Sequence, residues 1–167
     1  MIKIDKHISS FSNYSCQPKT KDELIEIINN RISKEGPNCD LNDIDVSLIE
    51  DMSYLFSFSN FSGDISKWNI RNVKDMSEMF SYSTFNKPIG NWNLSNVEDI
   101  SYMFDNSKFN KDISNWDVSN VKNMCGVFQK SKFNKDISNW KINKDCDTTD
   151  MFNECPIKEE YKPKLLR

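Results

Sequence analysis

The chain has 167 residues, 37% hydrophobic, 28% charged and 12% aromatic, with a formal net charge of -3. That size suits one domain with its own core. The charge speaks against a dedicated nucleic-acid or membrane-surface binder, and no apolar run is long enough to cross a bilayer.

The N-terminal stretch Met1-Ile2-Lys3-Ile4-Asp5-Lys6 never develops the apolar core of a secretion signal. The five cysteines, Cys16, Cys39, Cys125, Cys146 and Cys155, are odd in number and form no CxxC pair. Both features predict free thiols and a cytoplasmic setting. Residues 1–40 form an N-terminal segment. Within it Thr20 and Glu23 have capping-box spacing, and Leu24, Ile27, Ile28 and Ile32 make an apolar stripe that Gly36-Pro37 ends. The pattern predicts a helix over 20–35, lying as a cap on the residues C-terminal to it.

From residue 41 to 157 the chain repeats with a period of 24. Trp68, Trp92, Trp116 and Trp140 mark it, as do Phe56, Phe80, Phe104, Phe128 and Phe152. Further columns are Phe61, Phe85, Phe109, Phe133; Ile65, Ile89, Ile113, Ile137; and Val46, Ile70, Leu94, Val118, Ile142. A fixed period in the twenties implies stacked coils that bury one continuous core, about five of them here. The spacing of Ile65, Trp68 and Ile70 is that of the strand segment in a leucine-rich repeat. Asp51, Asp75, Asp99 and Asn123 then read as N-caps of short helical turns that carry Met52-Leu55-Phe56 and its equivalents inward. Ser59, Ser83, Ser107 and Ser131 stand where the chain turns back. The first and last repeats depart from the pattern, as terminal caps must. Residues 158–167 form a closing tail.

The run from Trp92-Asn93-Leu94-Ser95-Asn96-Val97 through Met103-Phe104, Phe109-Asn110 and Asp112-Ile113-Ser114 to Trp116 resembles the BspA-like leucine-rich-repeat surface proteins of bacteria and some protists and large viruses. The resemblance extends over about 120 residues. It implies a right-handed, leucine-rich-repeat-like solenoid, with one short strand and one short helical turn per coil. It further implies a scaffold for protein binding, in several members at the cell surface, and assigns no catalytic residue.

The residues offer little chemistry of their own. His7 has no neighbouring nucleophile, the four glycines form no phosphate loop, and no cofactor or metal site is expected. Asp64, Asp112 and Asp136 share a column and read as turn-stabilising side chains. The candidate binding surface is the outward side of the expected strands. It comprises Lys67, Asn69 and Arg71, then Asn91 and Asn93, Asn115 and Asp117, and Asn139 and Lys141. Lys87, Lys111 and Lys135 stack as a candidate basic patch. Residues 41–64 hold five acids and no Lys or Arg, while 106–144 hold eight lysines against three acids. The expected function is non-catalytic binding of another protein, as an intracellular adaptor, inhibitor or antidote, with a surface adhesin as the alternative and an enzyme as a more distant one. Nucleic acid and membrane insertion are not expected, and the chain is taken as a monomer or a weak head-to-tail associate.

Overall fold

The computed structural model describes residues 14–166. Met1 to Lys6 and His7 lie outside the described residues.

Helix α1 spans Lys21–Glu35. Its N-cap Thr20 accepts from the Glu23 amide at 3.2 Å, and the Glu23 carboxylate returns to the Lys19 amide at 2.7 Å. This is the capping box of the sequence, closed one residue early. Gly36 ends the helix at φ 87, a left-handed value that glycine adopts freely. Leu24 and Ile28 are buried in the common core, and α1 is tied to the first coil by Lys21–Asp51 and Arg31–Asp43, both 3.0 Å.

The repeats stack as coils of 24 residues, each contacting its neighbours. Phe56, Phe80, Phe104, Phe128 and Phe152 lie face over face, with centroids 5.7–5.8 Å apart and planes within 6°. A second column, Phe61, Phe85, Phe109 and Phe133, runs beside it at 6.1–6.4 Å. Within a coil the two columns touch, Phe80 on Phe85 at 4.3 Å. Most residues assigned inward on periodicity are inside, Met76, Met79, Phe80, Phe85 and Ile89 fully buried, while Leu55, Ile142 and Phe152 are half-buried against the core.

The local structure differs from the expected strand and helical turn. Among the described residues the only α-helix is α1, and pairing is confined to isolated bridges such as Asp51 with Asp75 and Asp75 with Asp99. The backbone hydrogen bonds explain why. From residue 52 to 58 every second amide, those of Met52, Tyr54, Phe56 and Phe58, donates to the next coil at Asp75, Ser77, Met79 and Ser81. The amides in between close β-turns within their own coil, Leu55 to Met52, Ser57 to Tyr54 and Ser59 to Phe56. With half its amides committed to turns, the segment cannot make the reciprocal pairing of a parallel sheet.

Asp51, Asp75, Asp99 and Asn123 cap no helix. Each accepts the amide two residues on at 2.7–3.1 Å, an Asx turn that starts the turn ladder. The ladder needs a left-handed residue at every fourth position: Tyr54, Glu78, Tyr102, Gly126 and Asp150 in one column, Phe58, Tyr82, Asn106, Lys130 and Glu154 in the next, all with φ between 49 and 60. For residues other than glycine that conformation costs about 1–2 kcal/mol each. It persists here because inter-coil bonds and the phenylalanine core over-determine it.

The side expected to form strands is joined by side chains instead. Each tryptophan indole donates to a carbonyl one coil back: Trp68 to Leu41 at 2.8 Å, Trp92 to Ile65 at 3.3 Å, Trp116 to Ile89 at 3.0 Å and Trp140 to Ile113 at 3.1 Å. Asparagine amides do the same from Asn72 to Ser47, Asn96 to Arg71 and Asn120 to Ser95, at 2.6–2.7 Å. The stack closes at its far end where the Ile137 amide donates to the Tyr161 carbonyl at 3.0 Å, beside the 3₁₀ turn Glu159–Tyr161.

Two measurements check this construction. Trp116→Ala should cost ~3–5 kcal/mol in urea unfolding, through cavity and lost hydrogen bond, while Trp116→Phe should lose only about 1–2 kcal/mol. A Cβ on Gly126 would lie 2.4 Å from the Tyr102 ring, at φ 60. Gly126→Ala should therefore destabilise by roughly 1–3 kcal/mol. Adding Tyr102→Ala should recover more than about 0.5 kcal/mol of it in a double-mutant cycle.

Candidate functional site

The polar residues singled out in the sequence lie where the coils turn, not on a sheet. Lys67, Asn69, Arg71, Asn91, Asn93, Asn115, Asp117, Asn139 and Lys141 are all exposed. Several are occupied in holding the stack. Asn91 and Asn139 donate to the carbonyls of Ser66 and Ser114 one coil back, at 3.1 and 3.0 Å. Asn93 accepts the Ser95 amide at 2.9 Å, and Asp117 accepts both the amide and the hydroxyl of Ser119, at 3.1 and 2.7 Å. Those Ser119 bonds hold the Asp117 carboxyl below its ordinary range. Asp64, Asp112 and Asp136 each accept the amide two residues on, at 2.8–2.9 Å, as turn stabilisers.

Two open hollows gather the remaining candidates on the third to fifth repeats. One, about 460 Å³, is lined by Ser114, Asn115, Asp117, Ser119, Asn139 and Lys141. The other, about 600 Å³, has Lys111 and Lys135 on its rim with Asn110, Ser114, Ser138 and Asn139. Lys87 is exposed but lines neither hollow. The two hollows share Ser114 and Asn139, so the structure brings Lys111 and Lys135 near Asp117 and Lys141, neighbours in one column, and leaves Lys67, Asn69 and Arg71 toward the other end of the stack.

Sequence reasoning overlooked two features. Glu50, Lys74, Glu98 and Lys122 form one column of alternating charge, with ion pairs of 2.8 Å for Glu50–Lys74 and 2.7 Å for Glu98–Lys122. The period of 24 was enough to find it, had the charged columns been aligned as the apolar ones were. Asp105 is the second. It stands in a column with Ser57, Ser81, Gln129 and Asn153 and is only 9% exposed, with its Oδ1 lacking a hydrogen-bond partner. Burial pushes its carboxyl up, and Glu78 adds to the rise while Lys130 opposes it.

Among the described residues no cluster of His, Cys, Asp or Glu could hold a metal ion, and no helix is long and apolar enough to cross a membrane. The cysteines are free thiols. Cys125 donates to the Tyr102 hydroxyl at 3.2 Å, and this bond, with the charge Cys125 would carry, pushes Tyr102 up to about 12. Burial raises Cys39, Cys146 and Cys155, the opposite of an activated nucleophile.

Stacked, side-chain-stitched coils with a common core and a variable polar exterior define a repeat protein. Residues 29–108 and 83–161 both match the family described as Mycoplasma protein of unknown function, DUF285. The two matches together cover most of the chain, and the protein belongs to that family. Comparison with curated proteins and with solved structures returned no match.

Asp105 supplies a pH test. Its folded carboxyl titrates above the ordinary value, so ionising it opposes folding. That penalty is absent in acid and sets in as the pH rises through the carboxylate range. Asp105→Asn should melt above the wild type at pH 7, and the gap should close near pH 3. A gap that is the same at both pH values would assign the effect to packing instead.

Proposed function

We propose that the protein is a non-catalytic scaffold that binds another protein through the polar turn face of the third to fifth repeats. The observation that carries this reading is the division of each repeat between an interior that recurs and an exterior that varies. Inward columns keep Trp, Phe, Ile and Met through the stack, whereas the outward column Asp45, Asn69, Asn93, Asp117, Lys141 runs from acid to base. A repeat selected for folding alone has no need of such variation, while a rigid surface carrying different charges at regular spacing suits recognition of one complementary partner.

The chemistry of the face supports binding over catalysis. Asp112 and Asp117 are lowered by turn hydrogen bonds, not poised near neutrality, and Asn91 and Asn139 are committed to the neighbouring coil. The resemblance seen in the sequence extends the proposal to a right-handed, leucine-rich-repeat-like solenoid. Five free thiols, an odd number, favour a cytoplasmic adaptor, inhibitor or antidote over an adhesin.

The test compares the wild type with Asn93→Asp, Asp117→Asn and Lys141→Glu combined. These changes alter the charge and keep the oxygen that each Asx turn at 93 and 117 requires. A pull-down from the native cell should capture a protein with the wild type and lose it by at least about tenfold with the variant, a difference of about 1.4 kcal/mol. Equal capture would move the interface off this face.

A further inference from the structure

The ladder of left-handed turns presents groups that the fold does not use. Phe58 is 75% exposed, Tyr54 56% and Tyr82 46%. Phe58 and Tyr82, one coil apart, lie flat against each other with centroids 4.7 Å apart and planes 8° from parallel. In the neighbouring column the Tyr54 hydroxyl donates to Glu78 Oε1 at 2.8 Å, which fixes that carboxylate beside the aromatic row. Large aromatics held in a strained conformation and left in water are costly for folding, and their exposure points to a ligand.

The charge around them is mainly acidic. Asp75 and Glu78 both act on Tyr54, and Asp105, nine-tenths buried with an unpartnered Oδ1, lies within electrostatic reach of Glu78 and Tyr102. The cation facing this group, Lys130, is 3.9 Å from Glu154 on the next coil. Ring faces with fixed carboxylates beside them match one side chain above others. A guanidinium stacks on an aromatic plane and forks onto a carboxylate, whereas an ammonium is more strongly hydrated and an anion is repelled.

We infer that the face built by Tyr54, Phe58, Glu78 and Tyr82 docks an arginine-bearing basic segment of a partner protein. The guanidinium lies against the Phe58–Tyr82 stack and Glu78 receives it. This surface is separate from the polar face of the third to fifth repeats, so either can fail without the other.

The probe is a fluorescent nonapeptide of alternating Arg and Gly, with its Lys and Glu counterparts, read by fluorescence polarisation. The wild type should bind the Arg peptide at least tenfold more tightly than the Lys peptide and should not bind the Glu peptide. Phe58→Asn and Tyr82→Asn keep a residue that tolerates the left-handed conformation, as Asn106 does in the same column. Glu78→Gln keeps an acceptor for Tyr54. Each should weaken the Arg peptide at least tenfold with an unchanged melting temperature. The combined variant at 93, 117 and 141 should bind it like the wild type. Equal affinity for Arg and Lys peptides, or Phe58→Asn and Glu78→Gln variants that bind normally, would overturn the assignment. So would a concentration-dependent dimer in sedimentation that Phe58→Asn abolishes, since the occupant would then be a second copy.

Discussion

The structure depends on how each coil divides its backbone amides. On one side half of them reach the next coil and half close turns in their own, so that the carbonyls of Asp75, Ser77, Met79 and Ser81 each receive an amide from the coil before. On the other side, few amides are left for neighbours, and the tryptophan indoles and asparagine amides replace them. These bonds join the coils without a strand or a helix in any described repeat. Polar groups that cannot meet water must find partners, and the period of 24 supplies the same partner at the same place in each coil.

This division governs the surfaces. A turn ladder forces left-handed residues outward at every fourth position, and the chain places Tyr54, Phe58, Tyr82 and Tyr102 among them. The opposite side presents asparagine and aspartate because those side chains can bond a turn amide or a neighbouring carbonyl. Its variation spans side chains that make such bonds, Asn93 and Asp117, and longer cationic ones, Lys67, Arg71 and Lys141. Two surfaces of different chemistry arise from one hydrogen-bonding scheme, an aromatic and acidic one near the first repeats and a polar, lysine-rimmed one near the last.

Much of the interior was legible beforehand. Phe80, Phe104 and Phe128 belong to a column because each is 24 residues from the next, and a period needs no knowledge of backbone conformation to place them inside. The error over Met76-Met79-Phe80 has the same origin. Three side chains at that spacing can share a side of a helical turn or of two successive β-turns, and burial alone does not separate the cases. Trp116 likewise alternates with Val118 as in a strand, yet its amide closes a turn on Ile113.

By itself, then, the sequence determined the repeat, its register, the capped helix and the identity of the core, since all of these rest on local spacing or periodic burial. Tertiary structure decided what each amide bonds to, and with it the exposure of Phe58, the isolation of Asp105 beneath its coil and the indole bonds across coils. Those outcomes are set by partners on neighbouring coils, about 24 residues away, whose competition for the same amides and carbonyls is resolved only when the coils stack.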